Sequence, residues 1–149
     1  MKYGIYYAYW EKEWNGDYKY YIDKISKLGF DILEISCGAF SDYYTKDQEL
    51  IDIGKYAKEK GVTLTAGYGP HFNESLSSSE PNTQKQAISF WKETLRKLKL
   101  MDIHIVGGAL YGYWPVDYSK PFDKKRDLEN SIKNMKIISQ YAEEYDIMM

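Results

Sequence analysis

One helix, one turn and one strand can be read in order from residues 17–36, DYKYYIDKISKLGFDILEIS. The helix is predicted over Asp17–Leu28, because apolar residues recur there at the spacing of one helix face. Gly29 follows as the predicted helix stop. The mostly apolar run Asp31–Ser36 is typical of a buried strand. The residues expected to face the core are Tyr18, Tyr21, Ile22, Ile25 and Leu28.

The same strand-then-helix unit recurs along the whole chain. The other predicted strands are Lys2–Tyr9, Val62–Ala66 and Asp102–Val106, and Asp146–Met149 has the character of the start of a fifth. The other predicted helices cover residues 46–60, Pro81 to about Met101, and about Lys124 to Tyr145. The last of these is expected to bury Leu128, Ile132, Met135, Ile138 and Ala142.

This alternation of apolar strands and helices predicts a parallel sheet covered by helices. Either an open doubly wound sheet or part of a closed barrel satisfies the pattern. A full (β/α)₈ barrel takes about 250 residues, so four units correspond to about half of one. Because residues 146–149 begin a new strand, we favour the barrel. The prediction is an α/β fold of four βα units of a TIM barrel, forming one domain over residues 1–149.

Composition excludes several classes of partner. The formal net charge is −2, and the 20 basic and 22 acidic residues are interspersed, so neither nucleic acid nor an anionic membrane surface is expected to bind. No apolar run approaches the roughly 20 residues of a membrane-spanning helix. Cys37 is the sole cysteine, which excludes an internal disulfide and favours a cytoplasmic location.

Aromatic residues and glycines cluster in the segments that follow the strands. They include Tyr6, Tyr7, Tyr9, Trp10 and Trp14; Cys37, Gly38 and Phe40; residues 67–72, GYGPHF; and residues 107–115, GGALYGYWP. Ligands of parallel α/β folds bind at these ends of the strands. Aromatic rings pack on the C–H faces of a sugar, and glycines let the backbone approach it, so a small, uncharged, polyhydroxylated ligand is predicted. The alternative is that these rings merely close the end of a barrel.

The isolated titratable residues favour structural roles. Glu34 lies within an apolar strand and is expected to belong to a polar network, and His104 is expected to be a satisfied histidine of the core or barrel layer. Neither His104 nor His71 has the spacing of a zinc site. No base or cation is evident that would activate Cys37. The sequence therefore predicts neither a catalytic pair of carboxylates nor a metal cage in this chain.

Three long segments carry a resemblance to a known family. They are MKYGIYYAYW at residues 1–10, KLGFDILEI at residues 27–35 and GGALYGYWP at residues 107–115. They closely resemble the ketohexose 3-epimerases, which include the D-tagatose 3-epimerases and D-psicose 3-epimerases, among the xylose isomerase-like barrels. The resemblance covers all 149 residues but only the amino-terminal half of such an enzyme.

The resemblance implies an epimerase dependent on Mn²⁺ or Co²⁺ that inverts C3 of free ketohexoses, D-fructose with D-psicose or D-tagatose with D-sorbose. Two glutamates would remove and return the C3 proton through an enediolate, and they and the metal ligands would lie on strands after Met149. No catalytic or metal-binding residue is therefore expected in this chain, which alone should be inactive and hold no metal. The substrate-lining positions that carry over are Tyr6, Trp14, Gly67, Ala109, Leu110 and Trp114.

Two other functions stay open at this point. One is a different sugar isomerase on the same barrel, such as a hydroxypyruvate-isomerase-like enzyme. The other is a non-catalytic half-barrel that assembles with itself. Half a barrel leaves strand edges and apolar interior residues exposed. We therefore expect the chain either to form a homo-oligomer or to associate with the missing half of the barrel.

Overall fold

The chain alternates short parallel strands with helices. The computed structural model describes residues 1–14, 16–38, 40, 44, 46–119 and 122–149. Within these residues the strands are β1 (Gly4–Tyr6), β2 (Ile32–Ser36), β3 (Thr63–Tyr68) and β4 (Val106–Gly108). The helices are α1 (Tyr18–Leu28), α2 (Asp47–Glu59), α3 (Pro81–Leu100) and α4 (Lys124–Glu144), with short 3-10 helices at Tyr7–Tyr9 and Phe72–Glu74.

The strands form one parallel sheet in the order of the sequence, β1-β2-β3-β4. Leu33 of β2 pairs with Leu64 of β3, and Ala66 of β3 pairs with Val106 of β4. Each crossover between neighbouring strands contains a helix, which is the connection that adjacent parallel strands require. The predicted fold class of four consecutive βα units is confirmed.

The helices cover one face of this sheet, which we call the outer face. Its side chains Leu33, Ile35, Leu64, Ala66 and Val106 are each no more than 4% exposed. They belong to the same core as helix residues such as Ile22, Ile25, Leu50, Ile53, Trp91, Leu95 and Leu98. Because successive residues of a strand point to opposite sides, the residues between them lie on the other side of the sheet, the inner face. Toward the carboxyl ends of the strands, the inner face carries Tyr6, Glu34, Ser36, Thr65, Gly67 and Gly107.

The helices end in a repeated turn whose key residue has a left-handed backbone. Gly29 and Gly61 occupy this position after α1 and α2, with φ of 81° and 69°. Asp102 and Asp146 occupy it after α3 and α4, with φ of 60° and 57°. The expectation that these aspartates begin strands is therefore wrong, and β4 starts only at Val106. Aspartate substitutes for glycine here because its short polar side chain tolerates this backbone better than most.

The first strand is shorter than the predicted Lys2–Tyr9. It stops at Tyr6, and the amides of Trp10 and Glu11 donate to the carbonyl oxygens of Tyr7 and Ala8 at 3.1 and 3.3 Å. These local hydrogen bonds turn the chain out of the sheet. Aromatic residues typical of strands continue beyond Tyr6, so residue type could not locate the turn.

The predicted buried face of α4 is only partly buried. Ile138 and Ala142 are in the core, whereas Leu128 is 60% and Ile132 is 49% exposed. Leu28 of α1 is also mostly exposed, at 59%. Periodicity identifies an apolar face of a helix, but it does not say how much of that face a neighbouring element covers.

Residues after α4 begin to extend the sheet, as predicted. The amide of Met148 donates to the carbonyl oxygen of His104, and the amide of Val106 donates to the carbonyl oxygen of Met148, both at 2.9 Å. An open groove of about 940 Å³ lies beside this segment, with Ile105, Ile132, Met135, Ile147 and Met149 among its lining residues. This edge of the described structure is thus apolar and uncovered.

Gly54 allows α2 to approach the turn that precedes β4. A Cβ at this position would lie 2.7 Å from the carbonyl oxygen of Met101, which is backbone and cannot move independently. Replacing a helical glycine by alanine normally stabilises a helix by about 1 kcal/mol. We expect Gly54→Ala to reverse that sign and to lower the free energy of unfolding by about 1–3 kcal/mol, because the turn must shift. Urea unfolding measures this loss.

Gly112→Ala is the matched control, because a Cβ at Gly112 would meet no atom within 4 Å. It should leave the free energy of unfolding unchanged within about 0.5 kcal/mol. Equal effects of the two substitutions would contradict the close approach of α2.

Candidate functional site

The candidate site lies where the four strands end. β1 ends at Tyr6, β2 at Ser36, β3 at Tyr68 and β4 at Gly108, and parallel strands bring these ends to one edge of the sheet. Loops that follow the strands carry most of the exposed aromatic side chains, which are Tyr9, Trp14, Phe72, Tyr111, Trp114, Tyr118 and Phe122. We call this edge with its loops the mouth of the site.

Two layers of inner-face residues lie beneath the mouth. In the lower layer Tyr6 pairs with Glu34, and Glu34 pairs with Thr65. In the upper layer Ser36 pairs with Gly67, and Gly67 pairs with Gly107. Glycine at position 107 leaves open space, because a Cβ there would meet no atom within 4 Å. A Cβ at Gly67 would instead lie 2.9 Å from the Oε1 atom of Glu34. The inner face is therefore polar below and recessed above, which suits a small polar ligand.

Tyr6 and Trp14 form one wall of this recess. Their ring centroids are 6.4 Å apart with planes tilted by 36°, and Trp14 is 66% exposed. Burial raises the pKa of the Tyr6 hydroxyl above its usual value, so this hydroxyl stays protonated and can donate a hydrogen bond. An exposed indole beside a phenol is suited to packing on the C–H face of a sugar.

One fully buried and one half-buried tyrosine hold the loop that carries Trp14. The hydroxyl of Tyr7, which is fully buried, donates to the carbonyl oxygen of Trp14 at 2.6 Å. The hydroxyl of Tyr44 donates to the carbonyl oxygen of Gly16 at 2.7 Å, and its ring stacks on Tyr18 with centroids 4.9 Å apart. The loop between β1 and α1, which we call the first loop, is thereby tied at residues 14 and 16 to the hydrophobic core.

The aromatic residues of the first loop thus divide into two groups. Tyr6 and Trp14 lie at the mouth, whereas Tyr7 is in the core and Trp10 stacks on Tyr21 with planes 9° apart. In the second loop Cys37 and Phe40 are buried in the core, and residues 39, 41–43 and 45 lie outside the described residues. The described part of that loop contributes packing rather than ligand surface.

Trp114 is held against the third loop. Its amide donates to the carbonyl oxygen of Pro70 at 2.7 Å, and a Cβ at Gly69 would lie only 2.9 Å from the Cβ of Trp114. The indole itself is 60% exposed at the mouth. Ala109 and Leu110 lie in the loop after β4, which also carries Trp114. Ala109 is half-buried, and Leu110 is 5% exposed and belongs to the core, so its side chain anchors this loop.

Polar side chains of α4 fix the third and fourth loops together. The amide group of Asn134 donates to the backbone carbonyl oxygen of Leu76 at 2.8 Å. The hydroxyl of Ser131 donates to the backbone carbonyl oxygen of Tyr111 at 2.7 Å. Both side chains are buried. Sequence reasoning missed them, although two polar residues on the core side of an otherwise apolar helix face were a signal.

Both histidines make local contacts. The amide of His71 donates to Glu74, which also accepts from the hydroxyl of Tyr68, so His71 begins a local turn. The expectation that His104 lies in the core or barrel layer is wrong, because it is half-exposed before β4, at the other end of the sheet. The Asp146 carbonyl and the Asp102 carboxylate, at 2.8 and 3.1 Å, raise the pKa of His104 above its usual value.

Glu34 and Cys37 differ in their surroundings. Burial raises the pKa of the Cys37 thiol far above its usual value, so this cysteine is an inert part of the core. Burial also raises the pKa of Glu34, with no opposing hydrogen bond or cation. The polar network expected around Glu34 is not found among the residues that the structure describes.

The described residues do not fit a resident metal ion. Among them, no three His, Cys, Asp or Glu side chains converge closely enough to bind one. Within the same ranges, the helices lack the combination of length and apolar character that a membrane span needs.

Comparison with known proteins places the chain beside one group of enzymes. The family model described as xylose isomerase-like TIM barrel matches residues 22–149. The D-psicose 3-epimerase of Enterocloster bolteae is 54% identical over 149 residues, covering 100% of this chain and 50% of the relative. The D-psicose 3-epimerase of Agrobacterium fabrum is 42% identical over 147 residues, covering 99% of this chain and 50% of the relative. The chain therefore spans about half the length of the curated relatives it matches.

A solved structure shows the same architecture. The D-psicose 3-epimerase of Clostridium cellulolyticum H10, crystallised with D-tagatose, superposes on this chain with a TM-score of 0.95 at 46% identity. The match covers 99% of this chain and 50% of that one. The four βα units seen here thus correspond to half of a TIM barrel.

We expect Tyr7→Phe to loosen Trp14 while leaving the fold intact. The substitution removes the donor to the Trp14 carbonyl oxygen and should cost about 1 kcal/mol of the free energy of unfolding. The chain contains 4 tryptophans, so ¹⁹F NMR of 5-fluorotryptophan-labelled protein can follow each one separately. The Trp14 resonance should shift or narrow, whereas that of Trp91, which is fully buried, should not change.

Tyr18→Phe is the matched control, because the Tyr18 hydroxyl donates at 3.0 Å to the carbonyl oxygen of Ser36 rather than to the first loop. If both variants moved the Trp14 resonance equally, Tyr7 would have no particular role in holding that loop.

Proposed function

Because the chain belongs to the xylose isomerase-like TIM barrel family, we propose that it forms the first half of a ketose 3-epimerase. Its role is to bind and orient a free ketohexose for inversion at C3. The observation that carries this proposal is the contact of Tyr6 with Trp14 beside the glycine-bearing strand ends, in a chain 54% identical throughout to a D-psicose 3-epimerase. Gly67 and Trp114 are proposed to line the same recess. All the relatives named above are D-psicose 3-epimerases, which favours this activity over a hydroxypyruvate-isomerase-like one.

The side chains of this half are suited to binding rather than to proton transfer. The Trp14 and Trp114 indoles supply apolar faces for sugar C–H groups, and the Tyr6 hydroxyl supplies a donor. Gly107 lets the ligand approach the sheet, and Gly67 leaves room for the Glu34 carboxylate beside it. Ala109 lines the recess from the fourth loop, and Leu110 packs beneath it.

Inversion at C3 requires a proton to be removed from one face of the sugar and returned to the other, with an enediolate between. The Mn²⁺ or Co²⁺ that the family resemblance implies would stabilise that negative charge when bound. Since the described residues do not fit such an ion, we assign no step on this chain to it. The acid–base groups and the metal ligands would come from the other half of the barrel.

A non-catalytic, self-assembling half-barrel is the second candidate. It is favoured by the uncovered apolar edge, where Ile105, Ile132 and Met148 are 50%, 49% and 70% exposed. Such an edge can be covered by a second copy of the chain as well as by the other half of a barrel. Activity measurements separate the two candidates.

The test is a hybrid polypeptide. Residues 1–149 are joined to the second half of the Enterocloster bolteae D-psicose 3-epimerase, in place of the half that this chain matches. We expect the hybrid, supplied with Mn²⁺, to convert D-fructose to D-psicose, and the 149-residue chain alone to show no conversion. A cooperative thermal transition confirms that the hybrid is folded.

Two exposed aromatic residues of the first loop give matched variants of the hybrid. Trp14→Ala should raise KM about 10-fold or more, because it removes a ring that packs on the sugar. Tyr9→Ala should change KM less than about twofold, although Tyr9 is 76% exposed in the same loop, because its ring packs on Trp10. Conversion by the chain alone, or a folded hybrid without conversion, would refute the proposed function.

A further inference from the structure

Glu34 lies on the inner face of the sheet, one layer below the end of β2. Its strand neighbours Leu33 and Ile35 are both fully buried on the outer face, so the Glu34 side chain lies on the inner face. There it occupies the same layer as Tyr6 and Thr65. The position is central in the sheet, because β2 has β1 on one side and β3 on the other.

The carboxylate of Glu34 reaches upward from this layer toward the mouth. Its Oε1 atom lies 2.9 Å from the position that a Cβ on Gly67 would occupy, one layer closer to the ends of the strands. A side chain at residue 67 would therefore compete with this carboxylate for space. The absence of one at Gly67 leaves this space to the carboxylate.

The Glu34 carboxylate lacks a partner within the described part of the chain. Its pKa is raised by burial alone, and no hydrogen bond or cation from those residues offsets that effect. An ionised carboxylate accepts hydrogen bonds through two oxygens and cannot donate one. Half-burial of such an acceptor costs free energy unless a donor forms a hydrogen bond to it. A hydroxyl of a polyhydroxylated ligand is a donor of suitable size.

We infer that Glu34 binds the substrate by accepting a hydrogen bond from one hydroxyl of the ketose at the floor of the recess. This inference rests on the proposed function, since it assumes that the recess takes a sugar. It makes Glu34 a binding residue of the first half of the barrel, beside the aromatic wall of Tyr6 and Trp14. The same geometry would also accommodate a cation from the other half of the barrel, and the experiment separates that outcome.

Calorimetric titration of the hybrid with D-fructose tests the inference without requiring turnover. Loss of a hydrogen bond to a charged acceptor should weaken binding by about 10- to 100-fold in Glu34→Ala. Glu34→Gln should bind with intermediate affinity and melt no lower than the parent hybrid, because it removes an unpaired charge from the inner face. Glu49→Gln, which changes an exposed residue on α2, should leave the Kd unchanged.

Monodeoxy derivatives of D-fructose identify the contact. One derivative should bind the parent and Glu34→Ala equally, because it lacks the hydroxyl that Glu34 accepts. If every derivative and D-fructose itself were weakened alike, or none were weakened, the hydrogen bond would be refuted. A lowered melting temperature in Glu34→Gln with unchanged Kd would instead show an ion pair with the other half of the barrel.

The outcomes separate this inference from the function on which it rests. Sugar binding without conversion would refute the epimerase function alone. Conversion with an unchanged Kd in Glu34→Ala would refute the role of Glu34 alone. A folded hybrid that does not bind D-fructose would refute both.

Discussion

The packing of helices against the outer face of the sheet constrains every other feature of this chain. A strand alternates its side chains between two faces, and here the outer series Leu33, Ile35, Leu64, Ala66 and Val106 is almost entirely buried under helices. Burial of apolar surface on that side fixes the register of the strands, since a slip of one residue would expose the whole series. The inner face does not have to pack against these helices, and it can therefore hold Glu34, Thr65 and two glycines.

The core also determines the shape of the mouth. Tyrosines of the core use their rings for packing and their hydroxyls for hydrogen bonds. Tyr7 and Tyr44 each donate to a carbonyl oxygen of the loop between β1 and α1, and Tyr18 donates to the carbonyl oxygen of Ser36 at the end of β2. This arrangement accounts for part of the chain's 16 tyrosines, an abundance that hydrophobic packing alone does not require. Trp14 is consequently exposed on a loop that is anchored at the carbonyl oxygen of Trp14. This arrangement favours binding, because the loop loses little conformational entropy when a ligand binds.

The elements could be predicted from sequence because glycine and helical periodicity mark them clearly. Gly29 and Gly61 signalled helix ends, whereas Asp102 and Asp146 adopt the same left-handed backbone without an equally strong signal. The location of the site could be predicted from the ends of the strands. The direction in which each aromatic side chain of a loop points could not, since loops have no regular spacing of buried residues. Tyr7 and Trp10 were therefore grouped with Tyr6 and Trp14 although they pack inside. The isolation of Glu34 depends on which groups surround it in three dimensions, and it could not be read from its neighbours in the strand.

Helices seal one face of the sheet, whereas the edge beside Ile105, Ile132 and Met148 is apolar and uncovered in the described structure, and we expect a partner to cover it. Size-exclusion chromatography with light scattering on the isolated chain tests it most directly. We expect a mass above the 17.5 kDa of one chain, and a lower mass when that apolar edge is made polar by Ile132→Lys. A compact, stable species of 17.5 kDa would contradict it.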